Sequence, residues 1–446
     1  MNNNSNKKGS FIGLVPLLLF LGIYFVMGVG TGSFDNLPLM VGILFATGVA
    51  FVIKKPNGEK KSFEEKVTIF CTGGGEHTLI LMVLIFILAG AFYGVANGMH
   101  AVDTVTTIGL NILPSNMILP GLFLIGCILS FSMGTSMGTV SALIPIAIDI
   151  ASKTGVNVAL VCGIVVGGAM FGDNLSFISD TTIAATRTQN VAMKDKFKAN
   201  ALMVLPAVII NCIILSLQPI STANIVTGGS ANLINLIPYA LVIILSVVGL
   251  HVIPTMTIGV VSGMLIGIMH GDFTWVESLG VIHEGMTWME DMAVIAIFVG
   301  GLVALMNYLG GIDWLLEKLS AKTKTKKGAE LSIAALVSLI DIATTNNTIS
   351  IIAAGPIAKD ISEEFDIAPQ RTASILDLFS SAFNGLLPYA GQLLVAGGLA
   401  QISPVKIMPF NWYSMLMLVF GTLFILIGWP KFKKKDSTPK VEVANE

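Results

Sequence analysis

The sequence predicts an all-α polytopic membrane protein. It is expected to consist of two inverted-topology repeats with broken helices and re-entrant hairpins, about 10–14 spans in all, and both termini in the cytoplasm. Three observations lead there. Of the 446 residues, 54% are hydrophobic and 12% charged, and the mean hydropathy is +0.83; a soluble domain carries roughly 25% charged residues. Apolar runs of about 17–22 residues recur from end to end, long enough to cross a hydrocarbon layer roughly 30 Å thick as helices. Finally, segments of the first half return in the second half in the same order, with the loop charges reversed.

The runs "FIGLVPLLLFLGIYFVMGVG", "LILMVLIFILAGAFYGVANG", "LINLIPYALVIILSVVGL" and "MAVIAIFVGGLVALMNYLGG" are helices without a polar face, which only lipid or a very large core accommodates. The first follows Lys7 and Lys8, but its length and the spans behind it argue for a retained helix rather than a cleaved leader. Lysines gather at 54–66 ("KKPNGEKKSFEEK"), at Lys194, Lys196 and Lys198 with Arg187, in "EKLSAKTKTKK" and in "KFKKK". The segments 31–36, 219–231 and 271–291 hold no Lys or Arg. The positive-inside rule places the lysine-rich loops and both ends in the cytoplasm. The organisation read from this is a cytoplasmic tail (1–10), a first repeat (11–218), an extracellular linker (219–231), a second repeat (232–430) and a cytoplasmic tail (431–446). A net charge of −2 gives no reason to expect a nucleic-acid partner. The cysteines at 71, 127, 162 and 212 have no paired spacing and read as small core residues.

Internal similarity supplies the duplication. "VPLLLFLGIYFVMGVG" matches "IPYALVIILSVVGLHV", and "IFILAGAFYGVANGMHAVDTV" matches "IAIFVGGLVALMNYLGGIDWL", setting Asp103 beside Asp313. "GTSMGTVSALIPIAIDIA" matches "ATTNNTISIIAAGPIAKDI", and "GAMFGDNLSF" matches "SSAFNGLLPY", all offset by about 210–220 residues. The loop after the second span is lysine-rich in the first half, whereas its counterpart, 271–291, has five acids and no Lys or Arg. Duplicated halves of opposite orientation are an architecture of secondary transporters.

Polar residues cluster where a membrane helix would not place them. "SFSMGTSMGT" brings Thr135, Ser136 and Thr139 among Gly134 and Gly138, and "DIATTNNTIS" brings Thr345, Asn346, Asn347 and Thr348 together. Glycine frees the backbone, and Asn and Thr compete for its hydrogen bonds, so each stretch is expected to break a helix. Close helix packing is the other reading of the "GTSMGT" glycines. Unwound backbone survives at membrane depth only where it is buried in protein or lines a cavity. Thr135, Ser136, Thr139, Thr345, Asn346, Asn347, Thr348, Asn384 and Gln392 are therefore the expected substrate contacts.

The densest chemistry is "GDNLSFISDTT", residues 172–182. An aspartate inside a membrane costs several kcal/mol unless paired or hydrated. Six residues between Asp173 and Asp180 are too few to cross, so a short re-entrant or broken segment is expected. A hard carboxylate among amide and hydroxyl oxygens suits Na⁺, and a carboxylate alone can carry a proton instead. The expected ion-binding or proton-coupling residues are Asp173, Asn174, Ser176, Ser179, Asp180, Thr181 and Thr182, with Asp377 as a second buried acid. Asp173, Asn346 and Thr348 are the expected Na⁺ ligands. Asp180 alternatively caps a helix. Arg187 and Arg371 read as cytoplasmic-side anchors and Asp341 as interfacial.

"FGDNLSFISDTT" resembles the signature of the NhaC family of Na⁺/H⁺ antiporters, in which G-D-x-x-S-P-L-S-D-T-T stands here; "TTNNTISIIAAGPIAKDIS" and "LLPYAGQLL" resemble that family's second half. The resemblance implies inverted repeats, each with a broken helix and a re-entrant hairpin, and agrees with the residue-level reading of Asp173, Ser176, Ser179, Asp180, Thr181 and Thr182. Phe177 stands where the family has proline and Ile178 where it has leucine. "TNNT" also resembles the S-N-T motifs of sodium-coupled dicarboxylate carriers. The expected function is cation-coupled secondary transport, Na⁺ and H⁺ being the coupling ions with no cofactor, and the alternative is Na⁺-coupled movement of a small amino acid or organic acid. A channel would need a ring of chains, and a membrane enzyme would need a metal cluster, nucleophile elbow or phosphate loop, none of which the sequence offers. A homodimer is left open.

Overall fold

The computed structural model describes residues 9–31, 36–55, 60–177, 179–220, 232–319, 325–430 and 432. The expected tails and extracellular linker lie almost wholly outside the described residues. Within them every regular element is a helix. The first half runs α1 (Val15–Thr31), α2 (Leu39–Val52), α3 (Phe63–Gly74), α4 (His77–Gly98), α5 (Ala101–Ile112), α6 (Ser115–Met133), α7 (Ser136–Thr154), α8 (Val158–Leu175), α9 (Asp180–Gln189) and α10 (Met193–Ser216). The second runs α11 (Ile237–Val247), α12 (Val252–His270), α13 (Trp275–Thr287), α14 (Glu290–Tyr308), α15 (Gly311–Leu319), α16 (Lys326–Thr344), α17 (Asn347–Glu364), α18 (Pro369–Asn384), α19 (Gly391–Ala400), α20 (Pro404–Ile407) and α21 (Trp412–Ile427).

The halves repeat element by element. The short helices α3 and α13 both start with a capping box, Ser62 with Glu65 and Thr274 with Glu277, in which side chain and backbone satisfy each other's free donors. Among the described residues six helical stretches are long and apolar enough to cross a membrane: α4, α6, α8 with α9, α10, α12 and α14. A bent pair (Gly391–Ala400 with Pro404–Phe410, 104°) brings this to as many as seven, and four further apolar helices are shorter. Helices α7, α16 and α17, of 18–19 residues, are not among them. These carry the polar clusters, and other helices surround them.

Both expected breaks are present. Helix α6 ends at Gly134 in the left-handed conformation (φ 66°), and α7 starts after Thr135. Helix α16 ends at Thr345, also left-handed (φ 56°), and α17 starts after Asn346. The closing amides match as well: Gly134 N–H donates to Ser130 O, and Thr345 N–H to Asp341 O. Each half also holds a second interruption: α8 and α9 run on as one stretch interrupted at Ser176–Ser179, and Gly385–Ala390 separates α18 from α19. In each repeat the first segment packs on the repeat's own broken helix, α8 on α6 and α18 on α16. The second segments cross over, α9 packing on α17 and α19 on α7. The close approach of α8 to α6 requires Gly172, since a Cβ there would stand 1.9 Å from Ser130 Oγ.

The cysteine expectation needs one correction: Cys127 and Cys162 are buried, but Cys71 is exposed, because α3 is a short amphipathic helix rather than part of the core.

Candidate functional site

Asp173 lies in the last turn of α8 and is 4% exposed. Ser136 Oγ donates to its Oδ2 at 2.8 Å, and Asn347 Nδ2 donates to the same oxygen at 3.2 Å. Ser136 is the first residue of α7 and Asn347 the first of α17. One carboxylate thus joins the restarting ends of both broken helices, where backbone N–H groups give a partial positive charge. Gln392, at the start of α19, donates from Nε2 to Ser136 Oγ at 2.9 Å. Asn346 caps α17, its Oδ1 accepting from Ile349 N at 2.9 Å. The interruption between α8 and α9 is tied in by Thr181, whose hydroxyl donates to Asp173 O at 2.7 Å and lies 2.9 Å from Ser179 Oγ.

These groups line a cavity of about 140 Å³. A water needs roughly 10–15 Å³ of such space, so several waters or one small solute fit. Thr135 and Ser136 come from the first break, and Thr345, Asn346, Asn347 and Thr348 from the second. The α8–α9 interruption supplies Asp173, Ser179, Asp180 and Thr181, and the α18–α19 interruption Asn384 and Gln392. Asp180 is exposed in the first turn of α9, where a negative charge complements the helix N-terminus; the N-cap position itself belongs to Ser179. Thr78, Leu81, Met82 and Ile85 of α4 form the remaining wall. Sequence reasoning missed them, and an apolar span gives no signal by which to find them.

Five expected residues do not line the cavity. The Thr139 hydroxyl donates back to Thr135 O at 3.1 Å. Ser176 is buried at the end of α8. Asn174 turns away and donates to Met170 O at 2.7 Å. Thr182 and Asp377 meet a residue that the sequence places in a cytoplasmic loop. Lys196, near the start of α10, is 1% exposed, and its Nζ lies 2.7 Å from Asp377 Oδ2, Thr182 Oγ1 and Asn174 O. Asn200, one turn on, donates to Asp377 Oδ2 at 2.6 Å and to Asn174 O at 2.8 Å. Lysine thus acts here as an internal counter-ion beneath the α8–α9 interruption. The available signal was the i, i+4 spacing of Lys196 and Asn200 at the head of an apolar helix, which places both on one face.

Two other expectations are corrected. Asp341 is fully buried in the last turn of α16, not interfacial, because α17 and α18 pack over it. Arg371 is buried rather than an interfacial anchor: it pairs with Glu330 at 3.0 Å and donates to Trp429 O at 3.1 Å. Phe177, where the resembling signature has proline, stacks on Phe197 of α10 with centroids 4.8 Å apart, and meets Phe131 of α6 edge-on. An aromatic anchor therefore holds the interruption between α8 and α9. Among the described residues no group of three or more His, Cys, Asp or Glu side chains is arranged to hold a metal ion.

The sequence pattern of the Na⁺/H⁺ antiporter family matches this chain twice, over residues 9–218 and 215–429. The chain is 22% identical to the malate-2H⁺/Na⁺-lactate antiporter of Bacillus subtilis, covering 96% of this chain and 98% of that one. It is 25% identical to the Na⁺/H⁺ antiporter NhaC of the same organism, over 96% and 100%. It is 20% identical to the arginine/ornithine antiporter ArcD of Halobacterium salinarum, over 76% of each.

Proposed function

Because the chain belongs to the Na⁺/H⁺ antiporter family, we propose that it is a cation-coupled secondary transporter of the cell (inner) membrane that exchanges Na⁺ and H⁺ by alternating access at Asp173. The observation that carries this reading is the convergence of Ser136 and Asn347, one from each repeat, on a single buried carboxylate oxygen. Both donors use Oδ2, and Oδ1 has no protein donor among the described residues. A bare carboxylate away from water is costly, so Asp173 takes a Na⁺ or a proton and exchanges one for the other. Asn346 and Thr348 supply neighbouring oxygens on the cavity wall. Helices α9 and α19 each lean on the opposite repeat, so rocking of the repeats would open the site to one side and then the other.

Asp377 has a different part in this reading. Lys196 neutralises it, and the pair ties α10 to α18 beside the α8–α9 interruption. The test is Na⁺-driven proton movement in proteoliposomes. Asp173→Asn keeps the size and hydrogen bonding of the side chain but removes its charge, and exchange is expected to drop to the protein-free background. Wild-type exchange by that variant would remove the assignment.

A second reading is Na⁺-coupled movement of a small organic acid or amino acid. Its support is the amide-rich wall of Asn346, Asn347, Asn384 and Gln392, more hydrogen-bonding capacity than one small ion uses. The relatives named for malate with lactate and for arginine with ornithine move such solutes. Thermal stabilisation that needs Na⁺ together with one solute would favour it over plain exchange.

A further inference from the structure

Four acids are buried in the helical body. Glu330 pairs with Arg371 and Asp377 with Lys196, and Asp173 opens on the cavity. The fourth, Asp341, is 0% exposed and has no cationic partner. Asn384 Nδ2 approaches its Oδ1 at 3.4 Å, the Ser350 hydroxyl is beside it, and Oδ2 has no hydrogen-bond partner.

The helices packed against α16 supply no counter-charge. On α17 the charged residues start at Lys359, followed by Asp360, Glu363 and Glu364, more than three turns beyond the break. On α18, Arg371 and Asp377 are committed to Glu330 and Lys196. Helix α21 has no charged residue; those of α14 are Glu290 and Asp291 in its first turn, and those of α15 are Asp313, Glu317 and Lys318. Tyr389 also faces Asp341, its hydroxyl donating to the neighbouring Ile342 O at 3.1 Å.

An ionised carboxylate enclosed in this way, with one long amide hydrogen bond, is costly by many kcal/mol, and a proton relieves that cost without needing space. Asp341 does not line the cavity, so a hydrated cation has no room beside it. The equivalent residue of the first repeat makes the same point. Ser130 stands four residues before its left-handed cap, as Asp341 does, and donates a hydroxyl proton to Ala169 O. A protonated Asp341 is likewise an O–H donor.

We propose that Asp341 carries a second coupling proton, and that Asn384, which touches Asp341 on one side and lines the cavity on the other, links that proton to cavity occupancy. The step is the gain or loss of one proton at a carboxylate oxygen, with no other bond made or broken. The inference rests on the exchange reading above.

Purified full-length protein tests it through the pH dependence of Na⁺ binding and through infrared spectroscopy of the carboxyl C=O band. The wild type is expected to release about two protons per Na⁺ bound and to show a protonated-acid band that weakens on Na⁺ saturation. Asp341→Asn should lose that band and release about one proton, with Na⁺ still bound. Two protons released by Asp341→Asn, or no band lost, overturns the proposal. Asp173→Asn separates the two ideas: Na⁺ binding by that variant defeats the cavity reading, while the infrared band still judges Asp341. If Asp341→Asn does not fold, Asn384→Ala takes its place, because loss of the amide contact should shift the same band; an unshifted band overturns the proposal.

Discussion

The two helix breaks share a backbone and differ in chemistry. In each a left-handed residue closes the first segment by an amide donated four residues back, and in each the next segment restarts two residues later. Around the first break the neighbours are small: Ser130 against Gly172, with Ser136 leading α7. Around the second they are larger and more polar: Asp341 against Asn384, with Asn347 leading α17. The second interruptions reverse the imbalance, since the one between α8 and α9 brings Asp173 to the cavity and the one between α18 and α19 brings amides. Duplication has kept the geometry that aims helix ends at one point, and the acids have been distributed unequally between the two copies. An exchanger gains from that inequality, because two identical acids side by side would repel each other and could not both ionise.

The comparison is most strongly broken at Lys196. Lys196→Met leaves Asp377 buried without its counter-ion and is expected to destabilise the folded protein by about 3–5 kcal/mol, read as loss of thermal stability in detergent. The double variant Lys196→Met with Asp377→Leu should recover most of that loss, because a buried pair replaced as a unit by apolar side chains is close to neutral. A double variant as unstable as the single one would show that Lys196 supports Asn174 and Thr182 rather than Asp377.

A smaller effect tests the small-residue side. Gly172→Ala places a methyl group on Ser130 and should cost about 1–3 kcal/mol and weaken exchange by displacing Asp173, its immediate neighbour. Combining it with Ser130→Gly should restore little of either in the same melting and transport assays, because the added Cβ also meets the backbone C and O of residue 130, which that substitution leaves in place. Smallest of all is the cap comparison. Gly134 takes its left-handed conformation freely, whereas Thr345 is a β-branched residue with positive φ, which is uncommon and strained. Gly134→Ala is expected to cost about 1–2 kcal/mol and Thr345→Gly to gain a similar amount. A loss of stability for Thr345→Gly would mean that the Thr345 side chain is needed at the cavity wall.

Much of this protein was legible from residue order alone. The apolar runs required helices because lipid cannot satisfy a free backbone, and the offset between halves gave the duplication. "GTSMGT" and "TTNNT" located both breaks, since glycine and competing side chains weaken a helix wherever they cluster. The acid Asp173 was found because a carboxylate in an apolar run needs a reason to be there. Asp341, Arg371 and Lys196 were misplaced for one shared reason. Each sits within a few residues of a loop or a lysine cluster, and a linear reading assigns such charges to water. Packing decides otherwise, because a second helix laid over the end of a span removes water from residues that its sequence position would expose. The pairing of Lys196 with Asp377, 181 positions apart, and the meeting of Ser136 and Asn347 on one oxygen depend on how helices cross between repeats. Hydrophobicity and local backbone preference act over a few turns and are written in the chain, whereas which charge meets which is set by long-range packing and exists only in the folded molecule.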